Sequence, residues 1–384
     1  MINWIKIMMY PSYKYNKYLL QMKEMGIGGV TSENIDALTK EISKFRNDYS
    51  YFRSNYIFLK DRFGLKDVPK SALKALQIKI IKKSEQKAKR CWHPQASETN
   101  CSKEKGKVKI IEAHSIQKNK ILKSIEENGH VTTYDRNTSD FRGASIGKAI
   151  ASTFLGFCNK HDAIFYPIEV EDYNGSKEQH FLFAYRAFIV SSHPKIVTSY
   201  FMDYGEQSDN DIVENKKIFD FGIVNQRYDI IETDVIELGT FYPIAVSSSF
   251  YLDYDFAGTE IPHSDERMED IFLTVFSDKA KTYVLISFFS QDKHLYKDLS
   301  NQIMQRNKIK SDITMLIAHC ENVYFNSTYF HTYIEQYKDI LSEILHQTQL
   351  DYVTFDNNGN RTSETSLTPK DYLNNTFGIS FFWC

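Results

Sequence analysis

Long apolar runs are missing from this 384-residue chain. Nowhere do roughly 18 or more apolar residues follow one another, so a membrane-spanning helix is not expected. Proline and glycine are sparse at 8 and 16 residues, while 42% of the chain is hydrophobic and 25% charged, the balance of a soluble globular protein rather than a low-complexity one. The first ten residues, Met1 to Tyr10, carry an apolar stretch broken by Lys6 and no small-residue cleavage site. A secretion signal is therefore not expected, and the expected location is cytoplasmic, with no membrane partner. Cysteine is scarce as well: five residues, an odd number at irregular spacing, fit reduced thiols and a metal site better than a disulfide framework. The length exceeds one compact core and points to two or three domains.

The cysteines that are present are concentrated. Cys91, Cys101 and Cys158 fall within 68 residues, and the third opens a Cys-x-x-His pair, Cys158-Asn159-Lys160-His161. Thiolate and imidazole donors from two chain segments can complete a tetrahedron around zinc, so Cys91, Cys101, Cys158 and His161 are the candidate ligands. His93 competes with Cys91 or Cys101 for a place in the set. Cys320 and Cys384 are expected to carry no chemistry. Between the two ligand segments lies Ile-Ile-Glu-Ala-His-Ser, which presents His114. It is either a reactive histidine or a hydrogen-bonded structural one.

The net charge of −2 hides an asymmetry: positions 66–109 hold 13 Lys or Arg against 4 Asp or Glu, a local excess of +9. On charge alone a solvated helix is the better reading, but a basic run entering the cysteine cluster suits a phosphate backbone, whose neutralisation releases counterions. Upstream, Ile35, Leu38, Ile42, Phe45, Tyr49, Phe52, Tyr56, Leu59 and Phe63 alternate spacings of three and four. This predicts one long helix over 33–63, capped by Thr31 or Ser32, ended by Gly64, and packed either within the chain or in a homodimer. A second helix is predicted from Ser71 to about Arg90.

For 91–171 the pattern predicts strand, helix, strand, helix: Val108 to Ile111, a helix after Ser115 closed by Asn128-Gly129, Val131 to Tyr134, and Ile146 to Phe157. Gly143-Ala144-Ser145-Ile146-Gly147 matches the nucleophile elbow of serine hydrolases, but the residues before it are polar, which makes Ser145 a helix cap instead. From 172 to 384 the expectation is a separate α+β domain. It contains a helix at Glu178 to Val190, a loop or boundary at Asp203 to Glu214, strands at Ile230 to Leu238 and Phe241 to Tyr254, and a hairpin of Ile271 to Phe276 with Thr282 to Phe289 turning at Ser277 to Ala280. Helices are expected at His294 to Gln305 and Tyr329 to Leu345.

The order Cys91, Cys101, Glu112-Ala113-His114, Cys158-x-x-His161, Asp162 resembles the HNH, or ββα-metal, endonucleases. The strings Ala-His-Ser-Ile-Gln, Glu-Asn-Gly-His-Val and Gly-Phe-Cys-Asn-Lys-His-Asp resemble those of bacterial HNH-like proteins, some from phage-defence settings. The resemblance covers about 80 residues. It implies a zinc-stapled ββα-metal-like nuclease module over 91–171 and says nothing direct about the flanks. The residue patterns make these a helical N-terminal arm (1–90) and a C-terminal α+β domain (172–384) of unassigned role, with sensing or partner binding as the options, so that the whole chain is expected to be α+β.

Carried over, Cys91, Cys101, Cys158 and His161 would hold a structural zinc, His114 would activate water, and Asp162 would stand at the last metal-binding position, where an oxygen ligand suits magnesium or manganese. Asp162 has a plainer reading as a cap or a partner of Lys160. Three departures stand out: nine residues separate the first cysteines, His161 replaces a cysteine, and no asparagine lies near Thr153. His130 or Asn128 would have to substitute for it. The implied activity is metal-dependent hydrolysis of DNA or RNA, with a non-catalytic zinc module binding nucleic acid or protein as the alternative.

Overall fold

The computed structural model describes residues 15–44, 58–134, 143–201, 206–264, 266–341, 354–355, 361–362 and 374–383. The fold is mixed α+β. Among the described residues no helix is long and apolar enough to cross a membrane. The chain divides into a small unit (1–89, 194–209, 353–364) and a large one (90–193, 210–352, 365–384).

The small unit contains α1 (Tyr15–Met25), α2 (Ile35–Lys44) and α3 (Lys70–Ala88), with residues 58–63 also helical. The predicted stripe is used inside the chain: Ile35, Leu38, Ile42 and Leu59 are buried together with Leu76 and Ile80 of α3 and Leu19 and Met22 of α1. The single helix over 33–63 is corrected, because its two ends meet. The Asn34 side-chain amide donates to Phe63 O at 2.9 Å, and Lys66 N donates to Gly28 O at 3.0 Å. A straight helix would hold those residues about 45 Å apart. Gly64 does end the second helical stretch with φ +62°, and Gly29, at φ +76°, lies so close to its carbonyl that a Cβ would collide. Phe45, Tyr49, Phe52 and Tyr56 lie outside the described residues.

The large unit merges the two domains expected on either side of 171. Its strands are β1 (Lys103–Glu104), β2 (Lys107–Val108), β3 (Ile110–His114), β4 (His130–Tyr134), β5 (Gly143–Gly147), β6 (Thr153–Cys158), β7 (Ile231–Leu238), β8 (Ile244–Phe250), β9 (Ile271–Asp278), β10 (Lys281–Phe289) and β11 (Val323–Phe325). Seven of them form one sheet in the order β5-β4-β11-β8-β9-β10-β7, with every neighbouring pair antiparallel. Strands from both sides of the expected boundary thus share a ladder. The interior of β8, β9 and β10 is almost wholly buried, which explains the long apolar runs of β9 and β10. The β9–β10 hairpin turns at 279–280 as predicted, with Lys279 at φ +57°.

β3 and β6 form a separate antiparallel pair, followed by α4 (Asn159–Asp162), a 3-10 turn at Ala163–Phe165 and α5 (Tyr166–Glu169). The helix expected over Ile146 to Phe157 is therefore corrected to two strands and a turn. Ser145 is neither a helix cap nor an elbow nucleophile; it sits mid-strand in β5, opposite Thr132. Asn128-Gly129 is the two-residue turn of a hairpin in which Glu127 and His130 exchange both backbone hydrogen bonds (2.8 and 3.0 Å). Both turn residues have positive φ, +52° and +79°. Farther on, α6 (Lys177–Ser199) overruns the predicted helix by nine residues at its end, and α7 (Glu206–Asn225) replaces the predicted loop.

Candidate metal centre and the His114 site

Pairing of Ile110 with Cys158 puts that cysteine at the end of β6, and one turn of α4 carries His161 back toward it. Trp92 N donates to Gly156 O at 2.9 Å and brings Cys91 alongside. The β1–β2 hairpin follows Cys101 directly. The four donor atoms, three Sγ and one Nδ1, all lie within 4.8 Å of one another. His161 Nδ1 is 3.3 Å from Cys91 Sγ, 3.6 Å from Cys101 Sγ and 3.3 Å from Cys158 Sγ. A tetrahedron with ordinary zinc bond lengths has S···N edges of about 3.5 Å. This donor set can hold a metal ion such as zinc.

The electrostatics fit a cation. Burial, and then the Cys158 and Cys101 sulfurs, push the Cys91 thiol up to about 12. Burial acts in the same direction on Cys158, but the backbone N–H of Ser102, 3.4 Å from its sulfur, and other hydrogen bonds bring that thiol down to about 7. Three clustered sulfurs that resist joint ionisation become thiolates once a divalent ion is among them. Ile110, Ala96, Val108 and Leu155 jacket the cluster. His93 is not a fourth donor: its ring lies flat on that of His161, at 4.2 Å and 5°, and its Nδ1 accepts the Gln95 N–H at 3.2 Å.

His114 closes β3 opposite Thr153. Its Nδ1 is 3.0 Å from Ala151 O, an atom that can only accept, so Nδ1 carries the proton and Nε2 keeps its lone pair. Burial lowers its pKa, Lys118 and Arg186 add to that, and the Ala151 carbonyl and Glu169 oppose it. The carbonyl is presented by a strained turn. Ser152 has φ +58° although it is not glycine, and it is over-determined: its N–H donates to Tyr324 Oη at 2.7 Å, its O accepts Ser115 N at 2.9 Å, and its Oγ donates to Ile116 O at 3.3 Å.

The structure adds residues to this site that sequence reasoning missed. The Gln117 side chain donates to Glu169 O, and Lys120 Nζ donates to Glu171 O at 2.9 Å, tying the exit of β3 to the end of α5. The Glu169 carboxylate pairs with Arg186 of α6. A lone arginine inside Phe-Leu-Phe-Ala-Tyr-Arg-Ala-Phe-Ile-Val was the available signal, since a charge in an apolar helix needs a partner.

Asp162 shares this neighbourhood, being influenced by both Arg186 and Glu169, and burial raises its pKa to about 6. Its Oδ1 is sealed from solvent without a partner among the described residues, whereas the Glu169 side chain is 30% exposed. His130 and Asn128 are not brought to His114. They line a different open hollow of about 470 Å³ with Glu127, Ser145, Thr328 and His331. Cys320 is buried away from the cluster, and Cys384 lies outside the described residues.

No family model matches the chain, and no curated protein or solved structure does either.

Proposed function

We propose that the chain is a metal-dependent nuclease that hydrolyses phosphodiester bonds in DNA or RNA. The observation that carries this reading is His114, pinned through Nδ1 with its Nε2 lone pair free and within electrostatic reach of Glu169 at the end of α5. In this reading His114 accepts the proton of the attacking water, and its depressed pKa keeps it neutral and competent near pH 7. Glu169, with Asp162 behind it, is the carboxylate available to magnesium or manganese, which when bound would polarise the scissile phosphate. The Cys91, Cys101, Cys158 and His161 set would hold a structural zinc that fixes β6 against the β1–β2 hairpin. Two antiparallel strands followed by helix, with His114 ending the first, are in keeping with the HNH resemblance, from which a role in bacterial antiviral defence is carried over.

Lysines of the 66–109 segment, taken in each unit by itself, are the contacts offered to nucleic acid. Lys79, Lys82, Lys83 and Lys87 flank a shallow hollow on α3, and Lys103, Lys105 and Lys107 stand on the β1–β2 hairpin. A second reading, a non-catalytic zinc module, is favoured by one observation: the position opposite His114 is Thr153, whose hydroxyl turns to Ile150 O at 2.8 Å.

Cleavage of plasmid, single-stranded DNA and RNA with magnesium or manganese separates the readings. His114→Ala should lose about 10²-fold or more of the rate with zinc content and folding unchanged. Wild-type protein that binds nucleic acid and never cuts it would leave the module.

A further inference from the structure

We infer that Arg186 is a positioning residue that anchors one carboxylate oxygen of Glu169 and leaves the other for a divalent cation. The inference rests on the nuclease reading and deepens it. Arg186 comes from α6, outside the strand-strand-helix segment that carries His114 and Glu169. Its side chain is 2% exposed and that of Glu169 30%, so the cation is sealed while the acid opens to solvent. Its Nη2 pairs with Glu169 Oε1, the single Glu169 oxygen it engages.

The guanidinium also lies over the Phe165 ring, 4.3 Å from the centroid. Phe165 is fully buried, packed on Tyr185 and Phe157, and it occupies the turn between the helix bearing His161 and the helix bearing Glu169. One side chain therefore fixes both the turn and the acid beyond it. Replacing a buried ion pair by apolar groups is often neutral or stabilising, so stability alone explains such a pair poorly. Here the pair is also incomplete, since Arg186 Nε is buried with no hydrogen-bond partner among the described residues. An arginine held at that cost, with its acid partly open and within electrostatic reach of a histidine of free lone pair, has the geometry of a support for a metal-binding carboxylate.

The test is Mn²⁺ binding to the full-length, zinc-loaded protein without substrate, read by the loss of free Mn²⁺ EPR signal, with melting temperature and zinc content recorded alongside. Arg186→Met should weaken Mn²⁺ about 10-fold or more, as Glu169→Gln does, and the double variant should be no weaker than Glu169→Gln alone. Arg186→Lys, which keeps the charge but loses the fork, should fall between wild type and Arg186→Met, and it carries the test if the methionine variant does not fold. Unchanged Mn²⁺ affinity in a folded Arg186 variant, where Glu169→Gln weakens it, would overturn this inference alone. A wild type that binds no Mn²⁺ beyond its zinc would overturn the nuclease reading and this inference with it.

Discussion

The side-chain amide of Asn322 donates to the hydroxyl of Ser115 at 2.9 Å, joining residues 207 positions apart, one of them next to His114. The same amide donates to Ser247 O at 2.9 Å, and the Tyr324 hydroxyl, which holds Ser152 N, donates to Asn322 Oδ1 at 3.0 Å. This buried network fastens the β3–β6 pair to the seven-stranded sheet, and so fixes the turn from which Ala151 O faces His114.

Asn322→Ala should destabilise the large unit by about 1 to 3 kcal/mol, because buried donors and acceptors lose their partners. Urea unfolding measures the loss. Zinc content should not change, since no ligand touches Asn322, but the rate of cleavage should fall as His114 loses its tether.

Metal analysis should find one zinc per chain, retained in His93→Ala and lost in Cys158→Ser. The flat stacking of His93 on His161 gives it contact with a ligand without a donor atom in the set. Chelation should lower the unfolding temperature, because the ion joins segments that otherwise bring three sulfurs together. Zinc loss in His93→Ala would make it a ligand after all.

Cleavage should persist as the pH falls through 6.5, the ordinary histidine value, and decline only on further acidification, because burial depresses the pKa of His114. Glu169 opposes that depression, so Glu169→Gln should move the acid limb of any residual activity lower still. A limb above 6.5 would contradict the proposed environment.

Acid should also destabilise the large unit. Burial brings His193 and His319 down to about 4 from 6.5. Each folded pKa lies below the unfolded one, so the unfolded chain binds more protons between those values. The stability these neutral rings contribute is present above pH 6.5 and is lost as the pH falls to about 4, at up to about 1.4 kcal/mol per pH unit for each ring. His319→Gln should flatten the slope in a denaturant series across that window.

Donor chemistry at short spacing was legible in the sequence. Cys158 and His161 lie one helical turn apart, and with Cys91 and Cys101 they meet as expected. The β9–β10 turn and the stop at Gly64 were legible for the same reason, being set by a few adjacent residues. The stretch from Ile146 to Phe157 misled because its apolar residues fit a helix, yet β5 pairs with β4 and β6 pairs with β3. Partners that distant leave no local trace. The single helix over 33–63 failed likewise: the heptad stripe says which side chains are buried, not whether the chain folds back so that Asn34 meets Phe63.

By itself the sequence determined the residue types that can hold a metal ion, the basic segment and the apolar stripes, since these follow from side-chain chemistry and local periodicity. Only the tertiary structure decided that Glu169, held by Arg186, comes within electrostatic reach of His114, that His130 and Asn128 face another hollow, and that strands from both sides of residue 171 share one sheet. Those outcomes depend on contacts between segments up to two hundred residues apart, where packing and hydrogen-bond satisfaction, not local preference, set the arrangement.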